Sequence, residues 1–258
     1  MPPSSWTALP APEVPTLLDI SQLSIDDLLQ LALVLRECEN DGSCMEEVAQ
    51  SMVRRLFECL TSGDGIPACA LVRLYVTQRF GDLDAGLQRL ALETAPDDLR
   101  QDVTDSTRCF TLLASAGTEP TWNDRTLSVG HQAIPLVSEE LIERLPMVAR
   151  LLRDLGIEAA SVVSPEPGSH IQRHHRRYDV FHVEDATTSP AVPAKEFVRE
   201  HGIKSAVGLG GVLPSGELYC VLLFSKVTLQ DRLVELLGSL AVTMKAGIVP
   251  HTFNVYAP

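Results

Sequence analysis

Three of the chain's seven histidines fall in one run, His170-Ile171-Gln172-Arg173-His174-His175-Arg176-Arg177, and His182 follows on the next predicted strand. Imidazole is the commonest protein ligand for metals and can bind haem iron axially. If a metal or chromophore is held, His174, His175 and His182 are therefore its candidate ligands, and the identity of any metal stays unknown. The ordinary reading competes with this. Three arginines in the same run repel a cation, and Pro165, Pro167 and Gly168 just before it point to a solvated basic loop or a partner contact. Haem is preferred to zinc among the metal-bearing groups, because arginines pair with propionates and no carboxylate support is legible from the spacing. His182 alternates with the strand so as to share a face with Tyr178 and Val180, which also suits a hydrogen-bonded core histidine.

An apolar organic ligand is the other chemistry the residues allow. Tyr75, Trp122 and Phe181 supply aromatic surface with polar tips, and small-molecule pockets are mostly apolar with few polar contacts. A single loop Trp also serves as a packing plug. Gly208, Gly210 and Gly211 look like a phosphate loop, but such a loop needs a strand before it and a helix N-terminus after it. Here a hairpin follows, so close backbone packing explains them better. Six scattered cysteines show no C-x-x-C spacing and read as reduced core thiols. Cys44 alone, expected in the first turn of a helix, has a reason to be reactive, and Glu46 and Glu47 oppose a thiolate there.

The 258 residues suffice for one large domain or two small ones, and 45% apolar with 21% charged residues is an ordinary globular composition. A net charge of −13 disfavours adhesion to nucleic acid or to an anionic membrane. The acids are uneven: 18 acidic face 7 basic side chains up to residue 105, and 16 face 14 beyond it. The basic His170–Arg177 run thus has an acidic surface of a second subunit to meet. No apolar run approaches the ~20 residues of a bilayer span, and Met1-Pro2-Pro3-Ser4-Ser5 has no signal-like pattern. The expected address is the cytoplasm.

The elements that must position these residues follow from periodicity. A proline-rich arm runs through Pro15. Ser24 with Asp27 opens a helix through Ile25, Leu28, Leu29, Ala32 and Leu35, and Ser43 with Glu46 reads as a second capping box before Met45, Val48, Met52, Leu56 and Leu60. Cys69 to Thr77 alternates as a strand with one apolar face, and Cys109 to Ser115 is a second strand. Leu83, Leu87 and Leu90 mark a helix between them, followed by an acidic, turn-rich loop, Glu93 to Asp105, a candidate lid or disordered tip. A bent or paired helix starts at Ser138 and restarts at Pro146. Tyr178 to Glu184 is strand-like, Pro193 to Glu200 a short helix, and Lys204–Leu213 with Glu217–Val227 a hairpin about Pro214-Ser215-Gly216. Thr228 and Asp231 cap a last helix carrying Leu229, Leu233, Leu236, Leu240 and Met244 as a stripe. The sum is an α+β chain: a mainly antiparallel sheet flanked by helices, with an N-terminal helical extension.

The stretches Gly130-His131-Gln132-Ala133-Ile134-Pro135-Leu136, Leu145-Pro146-Met147-Val148-Ala149 and Gly202-Ile203-Lys204-Ser205 through Gly210-Gly211-Val212-Leu213-Pro214-Ser215-Gly216 to Phe224-Ser225-Lys226-Val227, with this element order, resemble a GAF-domain sensor segment. Such segments occur in bacterial signalling proteins ahead of PAS and histidine-kinase modules. The resemblance covers about Cys69 to Val249. It implies an antiparallel sheet with a ligand cavity, filled or degenerate, on the face away from the terminal helices. It divides the chain into an arm (1–20), a helical extension (21–66), a sensor domain (67–250) and a tail (251–258). It further implies a regulatory module that binds a small molecule or cofactor, haem among the candidates, and signals through its helices as a homodimer to a histidine kinase or other signalling protein. A ligand-free scaffold for dimerisation or docking is the alternative, and a thiol-dependent reductase a third reading. No Cys-His dipeptide occurs, against bilin attachment, and nothing resembles a kinase or cyclase output segment.

Overall fold

Alternating apolar residues in the middle and last third of the chain become one sheet whose two faces are both covered. The computed structural model describes residues 17–163 and 180–256. A short parallel pair, β1 (Leu18–Asp19) and β2 (Leu60–Thr61), brackets α1 (Ile25–Glu37) and α2 (Met45–Cys59). Then come β3 (Cys69–Arg79), α3 (Ala85–Thr94), β4 (Arg108–Gly117), β5 (Ala133–Pro135), α4 (Glu139–Glu143), α5 (Pro146–Asp154) and α6 (Ala159–Val163). The remainder is β6 (Phe181–Val183), α7 (Lys195–Glu200), the hairpin β7 (Ser205–Val212) and β8 (Leu218–Ser225), then α8 (Asp231–Gly238) and α9 (Leu240–Ile248). Strands β3 to β8 form one six-stranded sheet in the order β5-β4-β3-β8-β7-β6, each neighbour antiparallel. This is the α+β fold read from the sequence.

The first helix starts as its residues require. Ser24 Oγ accepts from Asp27 N at 3.2 Å, and the Asp27 carboxylate accepts from Ser24 N at 2.9 Å. The second start is displaced by one residue. Cys44 is the N-cap of α2, and Ser43 donates its N–H and hydroxyl to Glu47 at 2.7 and 3.0 Å. Glu46, expected in that role, turns away to Arg125, and Cys44 lies ahead of the first turn, fully buried. The freed N–H groups of Met45 and Glu46 are met by the carbonyls of Asn254 and Val255, both at 2.8 Å. Residues near the C-terminus thus satisfy donors that every helix start leaves open.

One layer packs α1, α2, α8 and α9 on the sheet through Val72, Leu74, Val76, Val221 and Leu223. Along α2, Val48, Met52, Val53 and Leu56 are fully buried, each contributing roughly 1.5–3 kcal/mol of transfer free energy before ordering costs. The other layer joins Leu71, Tyr75, Phe110, Leu112 and Leu222 to α5 and α7. The expectation of one apolar face on β3 therefore gives way: its Leu71, Arg73 and Tyr75 face is covered too. Gly210 explains why this hairpin is glycine-rich, since a Cβ there would stand 2.4 Å from the Tyr219 carbonyl oxygen.

The C-terminal helix departs from expectation at both ends of its cap. Gln230 occupies the N-cap with no side-chain hydrogen bond, and the Asp231 carboxylate pairs with His182 instead. Asp231–His251, 21 residues containing an 18-residue window of mean hydropathy 1.5, is long and apolar enough to cross a membrane by length and composition. Here Leu229, Leu237, Leu240, Met244 and Ile248 are buried in the layer with α1 and α2. The Glu93–Asp105 segment is held by an Arg100–Asp97 ion pair at 2.8 Å and an Arg100 Nε bond to the Leu92 carbonyl, also at 2.8 Å.

Candidate ligand cavity

On the face of the sheet opposite the four-helix layer lies a cavity of about 390 Å³, at the small end of the ~300–1,000 Å³ usual for small-molecule sites. Its floor is the inward side of β3, β4 and β8, with Leu71, Phe110, Leu222 and Phe224 supplying apolar surface. One wall is the first turn of α5, where Pro146 sits among Leu145, Met147 and Val148. The opposite wall is aromatic. Trp122 meets Phe197 edge-on at 5.7 Å between centroids, and Phe197 meets Phe224 at 5.4 Å and 87°.

Trp122 is positioned by its neighbours rather than by its own packing alone. Asn123 Oδ1 accepts from Gly117 N and its Nδ2 donates to Gly117 O, both at 3.1 Å. That clasp fixes the turn Pro120–Asn123 against the end of β4. His201 meets the indole edge-on, with 4.5 Å between ring centroids.

The polar equipment is concentrated on β3 and the loop facing it. Arg73 Nη1 donates to Tyr75 Oη at 3.3 Å, and Nη2 donates to Ser128 Oγ at 2.6 Å. Arg73 Nε is buried and has no hydrogen-bond partner. Among the described residues no acidic side chain lines the cavity and none forms an ion pair with Arg73. His131, at the mouth, has φ 55, a left-handed conformation uncommon outside glycine. Burial, then the neighbouring Arg73 charge, hold its imidazole below the ordinary range. Cys220 also lines the cavity, with its thiol pushed upward by burial, which makes it a poor nucleophile.

Of the residues singled out from sequence, Tyr75 and Trp122 meet at this cavity. Phe181 is fully buried beside it, in the same apolar cluster, with the Arg150 guanidinium 5.8 Å from its ring centre. His182 is not brought there. It points to the helical layer, where Nδ1 contacts Asp231 Oδ1 at 2.8 Å and Nε2 contacts the Leu229 carbonyl at 3.0 Å. Both ring nitrogens are thus engaged by protein oxygens, one of them on the exposed Asp231 carboxylate. His174 and His175 lie outside the described residues. Among the described residues no group of three or more His, Cys, Asp or Glu side chains is placed to hold a metal ion.

Sequence reasoning missed Arg73, Ser128, His131 and Phe197. Arg73 had a signal: it is the one charged residue in the apolar run Cys69–Val76, at an inward position of the alternation.

No family model and no curated protein matches this chain. Among solved structures it is similar to the GAF domain from a phosphoenolpyruvate-protein phosphotransferase (ptsP) of Coxiella burnetii, at 12% identity and TM-score 0.48, covering 88% of this chain and 96% of that one. The phycoerythrobilin-bound GAF domain from a cyanobacterial phytochrome is similar at 11% identity and TM-score 0.43, covering 90% and 98%. The N-acylhomoserine lactone dependent LuxR family transcription factor CepR2 of Burkholderia cenocepacia is similar at 10% identity and TM-score 0.40, covering 88% and 97%. At these identities no ligand and no residue role passes from those proteins to this chain.

Proposed function

We propose that this chain is a GAF-like sensory module, cytoplasmic, that binds a small molecule in the cavity over β3, β4 and β8 and relays occupancy through its helical layer to a signalling partner. The observation that carries this reading is a 390 Å³ apolar cavity whose floor strand, β3, also packs on the helical layer through its alternate residues. A ligand pressing on Leu71 and Tyr75 acts on the same strand that carries Val72, Leu74 and Val76 into the helices. The test is hydrogen exchange with and without a bound neutral aromatic such as 1-naphthaleneacetamide. Protection in β3 together with α1 or α9 supports the relay; protection confined to the cavity walls opposes it.

A dimer fits this reading, through the N-terminal helices rather than the last helix. Leu229, Leu240 and Met244 are buried within the chain, whereas Ile25, Leu29 and Leu33 stand 67%, 60% and 64% exposed at four-residue intervals on α1. Such a stripe is what a helix presents to a second copy of itself. Leu29→Asp with Leu33→Asp is expected to convert a dimer to a 28 kDa monomer in light scattering while leaving the cavity's ligand affinity unchanged. A wild-type monomer at tens of micromolar removes the dimer. The ligand-free scaffold is favoured instead if native mass spectrometry finds no bound species and no small apolar probe binds.

A further inference from the structure

Arg73 is a cation placed in an apolar cavity without a counter-ion among the described residues. Arg73 is partly buried, and withdrawing a charge from water even in part is costly, so native proteins keep such a cation where something else supplies a partner. Two of its five donors are taken by Tyr75 Oη and Ser128 Oγ, and these accept from it, so both hydroxyl protons are left to point elsewhere. Its Nε–H is buried without a partner. A second, separate feature has the same polarity. The N-terminus of α5, a nine-residue helix, forms part of the wall, and the Met147 and Val148 N–H groups there belong to the first turn, which has no intrahelical acceptors. Among the described residues the remainder of the lining is apolar or aromatic and contains no Asp or Glu.

We infer that the cavity takes an amphipathic organic acid, an apolar body carrying one carboxylate, whose carboxylate pairs with Arg73 and whose body lies between Trp122, Phe197 and the first turn of α5. This rests on the ligand-binding reading above and specifies its ligand. A single negative charge is the match, because among the described residues Arg73 is the only charged side chain in the lining once His131 is neutral. In a chain of net charge −13, drawing in an anion requires such a local cation. Guanidinium offers a carboxylate parallel donors, which an ammonium does not.

The test compares acids with uncharged partners of the same body: 1-naphthaleneacetate against 1-naphthaleneacetamide, and decanoate against decan-1-ol. Calorimetry reads affinity, and in a Trp6→Phe background the quenching of Trp122, then the only indole, reports on the wall. At least one acid is expected to bind about tenfold or more tighter than its uncharged partner. Arg73→Met should abolish that preference while leaving the uncharged partner's affinity within about threefold, and its melting temperature without ligand should equal or exceed the wild type's. Arg73→Lys should keep part of the preference. Equal binding of acid and partner, or a preference that survives in Arg73→Met, overturns the inference and leaves the ligand-binding reading standing. Absence of binding by all four probes overturns that reading itself. The wild-type ratio decides the matter even if Arg73→Met fails to fold.

Discussion

Trp122 lies so close to Gly117 that a Cβ on the glycine would stand 2.7 Å from the indole Cε3 and 2.8 Å from the Ala70 carbonyl oxygen. The absence of a side chain at the last residue of β4 is what allows the aromatic wall to reach the sheet. Gly117→Ala is therefore expected to destabilise the protein by about 1–3 kcal/mol, the usual cost of overpacking, and to shift the Trp122 emission. Urea unfolding and fluorescence measure both. An unchanged midpoint with unchanged emission would show that the turn moves away freely.

Arg125 joins three distant parts of the chain. Its Nε and Nη2 donate to Glu46 at 2.6 and 3.1 Å, and its guanidinium carbon lies 4.7 Å from the centre of the Tyr256 ring. Both ion-pair side chains are largely buried, so screening by solvent is limited. Arg125→Ala should cost about 1.5–3 kcal/mol, the scale of a hydrogen bond to a charged group, and Arg125→Lys should recover only part of it because the forked geometry is lost. Denaturant midpoints for the two variants provide the comparison. Equal losses would mean that geometry plays no role.

All six cysteines are free and buried. Burial pushes the Cys69 and Cys109 thiols up to about 12, from an ordinary 9.0, and raises Cys220 as well. Above pH 9 the unfolded chain gives up these protons while the folded chain retains them. Stability present below pH 9 is therefore expected to fall as the pH rises from about 9 towards 12. A thiol reagent at pH 8 should label the native protein slowly and all six thiols promptly in guanidinium. Rapid labelling of the native state would contradict the protonated, enclosed thiols described here and reopen the thiol-enzyme reading.

Local chemistry decided much on its own. The Ser24–Asp27 cap, the restart of the helix at Pro146 and the hairpin about Pro214-Ser215-Gly216 each depend on residues a few positions apart, so the chain carries their specification in sequence order. The alternation along β3 likewise puts Arg73 and Tyr75 on one side and Leu74 and Val76 on the other before any partner is known. What alternation does not contain is the cover on each side, and so the chain alone did not tell that both faces of β3 are buried. Tertiary structure brought Ser128 to Arg73 across 55 positions and Trp122 to Phe197 across a wider interval, and a cavity exists only where such distant walls converge. It also moved Glu46 from a cap to Arg125 and Asp231 from a cap to His182, because a nearby cationic or imidazole partner outcompeted the local backbone donor. The same competition holds the His182 ring on the helical side of the sheet, away from the cavity that its sequence neighbour Phe181 adjoins.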